Sequence, residues 1–152
     1  MDSLRVYPVR RKKIGGLKIK EFIENCEDSK LYLLDIDAYM GREMNIKVYN
    51  ELSGIFDMWI DAAPRRVEDV MDLIVLGAQY AVLNDVYMKG KTIMKTLELT
   101  ENIVLKSYNT GRIEKFIKNG GKIIITSARI ASTLNTERTY IFEGREVRAW
   151  KN

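Results

Sequence analysis

The sequence predicts an α/β domain built on a parallel sheet. Three observations carry that reading: short apolar runs recur along the chain, their starts lie about 20 to 27 residues apart, and helix-period stripes fill the intervals. That interval suits a strand, a helix and two loops. The runs are also continuous and do not alternate with polar residues, as strands covered on both faces require.

The first run is Val6 to Val9, followed by a turn at Gly15-Gly16 and by a helical stripe of Ile19, Phe22, Ile23 and Cys26. The second runs from Leu31 to Ile36 and leads to a stripe of Met44, Val48 and Leu52. The third is Met58 to Ile60. After it come Val67, Val70, Met71, Ile74 and Val75, which share one helical face while Glu68, Asp69 and Asp72 point outward. The fourth, Tyr80 to Leu83, precedes a helix over residues 89–99, and the fifth, Ile103 to Leu105, precedes Ile113, Phe116 and Ile117. Asn119-Gly120-Gly121 ends that helix as a left-handed C-cap would. After the sixth run, Ile123 to Ile125, the pattern changes: Thr139 to Phe142 and Val147 to Trp150 flank Glu143-Gly144-Arg145-Glu146 and read as a hairpin.

Six parallel strands fall short of the eight, and 152 residues fall short of the roughly 250, of a complete (β/α)8 barrel. Such a sheet would stay open, be closed by the hairpin, or be completed by a second copy of the chain. Unpaired edges favour the homodimer.

Composition narrows the function classes. Hydrophobic residues make up 46% and charged residues 30%, the profile of an ordinary folded domain, which at this length buries roughly two thirds of its unfolded surface. Cys26 is the single cysteine, so no internal disulfide can form and a reducing cytoplasm is the expected compartment. The N-terminal Met1-Asp2-Ser3-Leu4-Arg5 does not read as a secretory signal, and no apolar window is long enough to span a membrane. There is no histidine, which removes the commonest proton shuttle and metal ligand; no metal site or cofactor motif is indicated. The basic run Arg10 to Lys13 lacks the aromatic interleaving of single-strand binders, which argues against nucleic acid.

Functional groups in parallel sheets collect beyond the carboxyl ends of the strands. Here that rule nominates Asp35, Asp37 or Asp61 as a carboxylate base beside Lys106. If Asp35 and Asp37 both lie on the strand, alternation puts them on one face. The plainer role for Asp61 and Asp85 is loop capping. Arg65 and Arg66 precede the most amphipathic helix, whose first amides favour an anion, and so form a candidate phosphate clamp.

Several segments also carry a family likeness. These are Arg5-Val6-Tyr7-Pro8-Val9 with Gly15-Gly16, Leu33-Leu34-Asp35-Ile36-Asp37-Ala38 with Gly41-Arg42 and Asn45, Ile60-Asp61-Ala62-Ala63-Pro64-Arg65-Arg66-Val67-Glu68-Asp69-Val70, and Leu76-Gly77-Ala78-Gln79-Tyr80-Ala81-Val82-Leu83. In that order, over residues 4–85, the chain resembles the ProFAR isomerase family of histidine biosynthesis and its archaeal relatives. The resemblance implies an incomplete TIM-like (β/α) barrel of about six parallel strands plus the hairpin, a single truncated domain over residues 1–152. It also implies a small phosphorylated ligand. The family's catalytic aspartates end its first and fifth strands; here those positions hold Arg11 and Lys106 or Ser107. Its glycine triplet after strand three becomes Asp61-Ala62-Ala63, and its small pair after strand four becomes Asn84-Asp85.

Losing an acid-base pair removes about 100- to 10,000-fold in rate per group. The expectation is therefore a binding or structural module without isomerase activity. The alternative is an isomerase or lyase acting on a small phosphorylated sugar or nucleotide, with Asp35 or Asp37 as base, Lys106 as electrophile or Schiff-base former, and Arg65 and Arg66 on the phosphate.

Overall fold

The computed structural model describes residues 3–134 and 138–151. Met1 and Asp2, where the signal reading begins, lie outside the described residues.

In chain order the elements are β1 (Ser3–Arg10), β2 (Lys13–Ile14), β3 (Leu17–Lys18), α1 (Ile19–Asn25), β4 (Lys30–Asp35), α2 (Ile36–Tyr39), α3 (Ile46–Leu52), β5 (Asp57–Asp61) and α4 (Val67–Val75). They continue as β6 (Ala78–Asn84), α5 (Gly90–Leu99), β7 (Ile103–Lys106), α6 (Thr110–Lys118), β8 (Ile123–Thr126), α7 (Ala128–Ala131), β9 (Arg138–Phe142) and β10 (Glu146–Ala149).

The incomplete TIM-like barrel of six parallel strands is not what forms. The sheet is a closed, mixed barrel of eight strands in the order β1, β4, β5, β6, β7, β8, β9, β10, with β10 returning to β1; β2 and β3 are two extra strands hung on β1. The cause lies at the C-terminus. The first arm of the hairpin, β9, pairs parallel with β8 and so acts as a seventh parallel strand. Between β9 and β10 only a tight turn intervenes, with Gly144 at φ 79°, too short for the crossover that a parallel neighbour needs. β10 therefore runs antiparallel to β9 and, on its other side, antiparallel to β1, with Leu4 opposite Val147. Neither "truncated" nor "TIM barrel" describes the result. Closure also removes the open edges on which the expected homodimer depended.

Continuous apolar runs follow from this geometry, because each strand faces two cores. Leu4, Val6, Tyr32, Trp59, Val82, Val104, Ile125, Tyr140 and Val147 fill the barrel interior. Their neighbours Val9, Leu31, Leu33, Met58, Ile60, Leu83, Leu105 and Ile124 point outward against Phe22, Val48, Leu52, Val70, Leu73, Ile93, Ile113 and Phe116 of the helices. Each such side chain, fully buried, contributes roughly 1.5–3 kcal/mol. α6 ends as its sequence suggests: Gly120 has φ 104°, its amide donates to Ile117 O, and the Gly121 amide donates to Phe116 O, a Schellman arrangement. Among the described residues no helix is long and apolar enough to cross a membrane.

Candidate functional site

The polar strand ends do gather at one mouth of the barrel, but in two separate networks. Asp61 ends β5, Asn84 ends β6 and Lys106 ends β7, with Asn84 and Lys106 side by side in register. Asp61 is fully buried, and the Lys106 ammonium sits 3.0 Å from its Oδ2. The same oxygen accepts from the Tyr32 hydroxyl at 2.6 Å, while Oδ1 accepts from the Tyr39 hydroxyl at 2.5 Å. Asn84 Nδ2 in turn donates to the Tyr39 oxygen at 3.1 Å. On its other side the ammonium lies 4.0 Å from the centre of the Phe142 ring, a cation–π contact.

Burial, and then the negative Asp61, push the Tyr32 and Tyr39 phenols well above their usual range, so both are hydrogen-bond donors at neutral pH. Every group around the carboxylate points a proton at it. Such a buried ion pair holds its geometry through these added hydrogen bonds.

The second network contains Asp35 and Asp37. The strand ends at Asp35, and Asp37 lies inside α2, so the two do not share a strand face. Asp35 caps α2, its Oδ1 accepting from the Ala38 amide at 3.0 Å and from Asn45 Nδ2 at 2.9 Å. Its Oδ2 accepts from the Asn45 amide at 2.7 Å and from the Tyr49 hydroxyl at 2.5 Å. Asp37 accepts from the Arg11 amide at 2.7 Å, Asn45 Nδ2 at 3.0 Å and the Arg42 guanidinium at 3.3 Å. The Arg11 amide above all, with Asn45 next, holds the Asp37 carboxyl below the ordinary aspartate range. This network clamps a strained turn: Arg11 and Lys12 have φ of 49° and 62°, and the Lys12 amide donates to Asn45 Oδ1 at 2.9 Å. The basic run Arg10 to Lys13 is this turn and the strand ends flanking it, and its charged side chains are exposed.

Lys106 is thus brought to Asp61 and not to Asp35 or Asp37. Arg65 and Arg66 take a different arrangement again. Their amides, at the start of α4, donate to Asp69 Oδ2 at 3.1 and 3.0 Å, and the Arg66 guanidinium binds Asp69 Oδ1 at 3.0 Å. Asp69 thus holds the two residues that lead into α4. The Arg65 guanidinium lies over the Tyr87 ring at 5.4 Å, and Tyr87 meets Tyr39 edge-on at 5.1 Å, which links Arg65 to the Asp61 cluster. Beside it lies a cavity of about 170 Å³ lined by Ala38, Arg42, Ala62, Ala63 and Arg65 among others. Ala63, buried there, keeps a left-handed φ of 46°, a conformation that glycine adopts with less strain.

Tyr32, Tyr39 and Phe142 carry no sequence signal of their own. Tyr32 lies within an apolar run and Phe142 in the hairpin; Tyr39 belongs to a helix of four residues, too short to show a period. Among the described residues no three His, Cys, Asp or Glu side chains converge as a metal-binding group. No protein-family model matches the chain, and no curated protein matches its sequence.

Proposed function

We propose that this chain is a non-catalytic binding module for a small phosphorylated ligand, without isomerase turnover. The observation that carries the reading is the saturation of its carboxylates. Asp35, Asp37 and Asp61 each accept three or more hydrogen bonds from the protein itself, so none is free to act as a base. Lys106 Nζ is likewise engaged, 3.0 Å from Asp61 Oδ2. The ligand class rests on the ordered likeness to the ProFAR isomerase family over residues 4–85, and on Arg42, which also pairs with Asp37, and Arg65 lining, together with Asp69, the 170 Å³ cavity at the strand ends.

Ribose 5-phosphate at a hundred times its dissociation constant is expected to stabilise the fold by about 2.7 kcal/mol. Arg42→Met with Arg65→Met is expected to abolish the shift, and the ProFAR substrate to remain unconverted. Isomerase turnover that disappears in Lys106→Met would overturn the proposal.

A second reading, a lyase that forms a Schiff base, is favoured by the position of Lys106 inside the mouth between Asp61 and Phe142. Borohydride reduction in the presence of a phosphorylated ketose would then add the mass of the reduced adduct at Lys106.

A further inference from the structure

The opposite mouth of the barrel, where the parallel strands begin, holds a second and chemically different cavity. It measures about 230 Å³ and is lined by Trp59, Tyr80 and Tyr140 together with Lys30, Gln79 and Arg138. Tyr32, Val82, Val104 and Ile125 fill the barrel between it and the Asp61–Lys106 pair.

Three features converge there. Trp59 meets Tyr80 and Tyr140 edge-on, with centroids 5.1 and 5.2 Å apart, which builds an aromatic wall. The Arg138 guanidinium is fixed against that wall. It donates to the Tyr80 hydroxyl at 3.3 Å and the Tyr140 hydroxyl at 3.2 Å, and lies 5.7 and 5.9 Å from the two ring centres.

Gln79 supplies the third feature. Pairing between β5 and β6 slips, with Met58 opposite Ala78 but Trp59 opposite Tyr80, so Gln79 is an extra residue at a bulge. Bulges re-aim side chains and recur beside sites. The Gln79 Oε1 atom is buried and, among the described residues, accepts no hydrogen bond. A buried acceptor with no donor is rare in folded proteins and calls for one.

We propose that this mouth binds a small planar aromatic anion bearing a ring N–H. The ring packs against Trp59, Tyr80 and Tyr140, the acid group meets Arg138 and Lys30, and the Gln79 amide turns from its buried position toward the cavity so that Oε1 accepts the N–H. The volume accommodates one ring with its carboxylate.

Pyrrole-2-carboxylate and furan-2-carboxylate differ at that N–H alone and make the test. In amide-resolved NMR titrations of the full chain, pyrrole-2-carboxylate is expected to shift residues 78–81 and 138–140 saturably. It should bind about tenfold more tightly than the furan acid. Gln79→Leu should bring the pyrrole acid down to the affinity of the furan acid, and Arg138→Gln should weaken both by about tenfold. The wild-type titration stands even if a variant fails to fold. Equal affinity of the two acids, shifts confined to residues 84 and 106, or no saturation by about 20 mM would each overturn the proposal.

Discussion

At the scale of single residues, the Asp61–Lys106 pair shows how a charge is kept inside a barrel. The side chain of Asp61 is 0% exposed and that of Lys106 10%, and the carboxylate needs the ammonium and both tyrosine hydroxyls to offset lost hydration. Lys106→Met leaves the carboxylate buried without its cation and is expected to cost about 3–5 kcal/mol. Adding Asp61→Asn should restore a good part of that loss. The cycle is measured by urea unfolding, and a double variant as unstable as the two single losses added together would show that the pair is not coupled.

At the scale of elements, the same types of residue play opposite parts according to where a strand stops. Asp35 reads in the sequence as a free carboxylate at a strand end, yet β4 yields to α2 at the next residue and the aspartate becomes a cap. Asp69 likewise takes the amides of Arg65 and Arg66 just ahead of α4, and its carboxylate sets a negative charge beside the helix N-terminus that would repel an anion. Asp69→Ala is expected to destabilise the protein by about 1 kcal/mol through the lost cap. In return it should make the melting temperature rise with added sulfate, which the wild type should show weakly. Calorimetric scans in a sulfate series, with chloride at matched ionic strength, check both.

At the scale of the whole molecule, closure and the internal phenols set the stability. Tyr32, Tyr39 and Tyr49 all titrate well above their ordinary value, because burial first, and then Asp61 or Asp35, disfavour the phenolate. Their folded pKa values exceed the unfolded value of about 10, so they contribute stability that is complete below pH 10 and is lost as pH rises further. Absorbance at 295 nm is expected to show these three ionising together with unfolding. Asp37 acts at the other end of the scale: its lowered pKa means a contribution present above the unfolded value of about 3.9 and lost only as pH falls through the folded one. Closure has its own test. A chain ending at Phe142 lacks β10, uncovers one edge each of β1 and β9 and loses the fully buried Val147. It is expected to aggregate in size-exclusion chromatography where the full chain does not.

Much of the local structure was legible, because periodicity is a local property. The helix over Val67–Val75 and the cap at Gly120 are recorded within a few neighbouring residues and appear as α4 and the end of α6. Of the stripe Val67, Val70, Met71, Ile74 and Val75, however, it is Val70 and Ile74 that pack on the core, while Val75 is exposed and Leu73, outside the stripe, is fully buried. The strand count was not, because β9 looks like half of a hairpin from either side of its turn; only its second neighbour, β8, makes it a parallel strand. Nor could the sequence pair Lys106 with Asp61 in preference to Asp35. That choice depends on which strand ends point inward and how far α2 displaces Asp37, and Tyr39 joins the site only through a four-residue helix. By itself the sequence determined the run of strands and helices, since hydrophobic spacing and turn chemistry act over a few residues. Tertiary structure alone decided that the sheet closes and which charges meet inside it, since both depend on contacts between residues far apart in the chain.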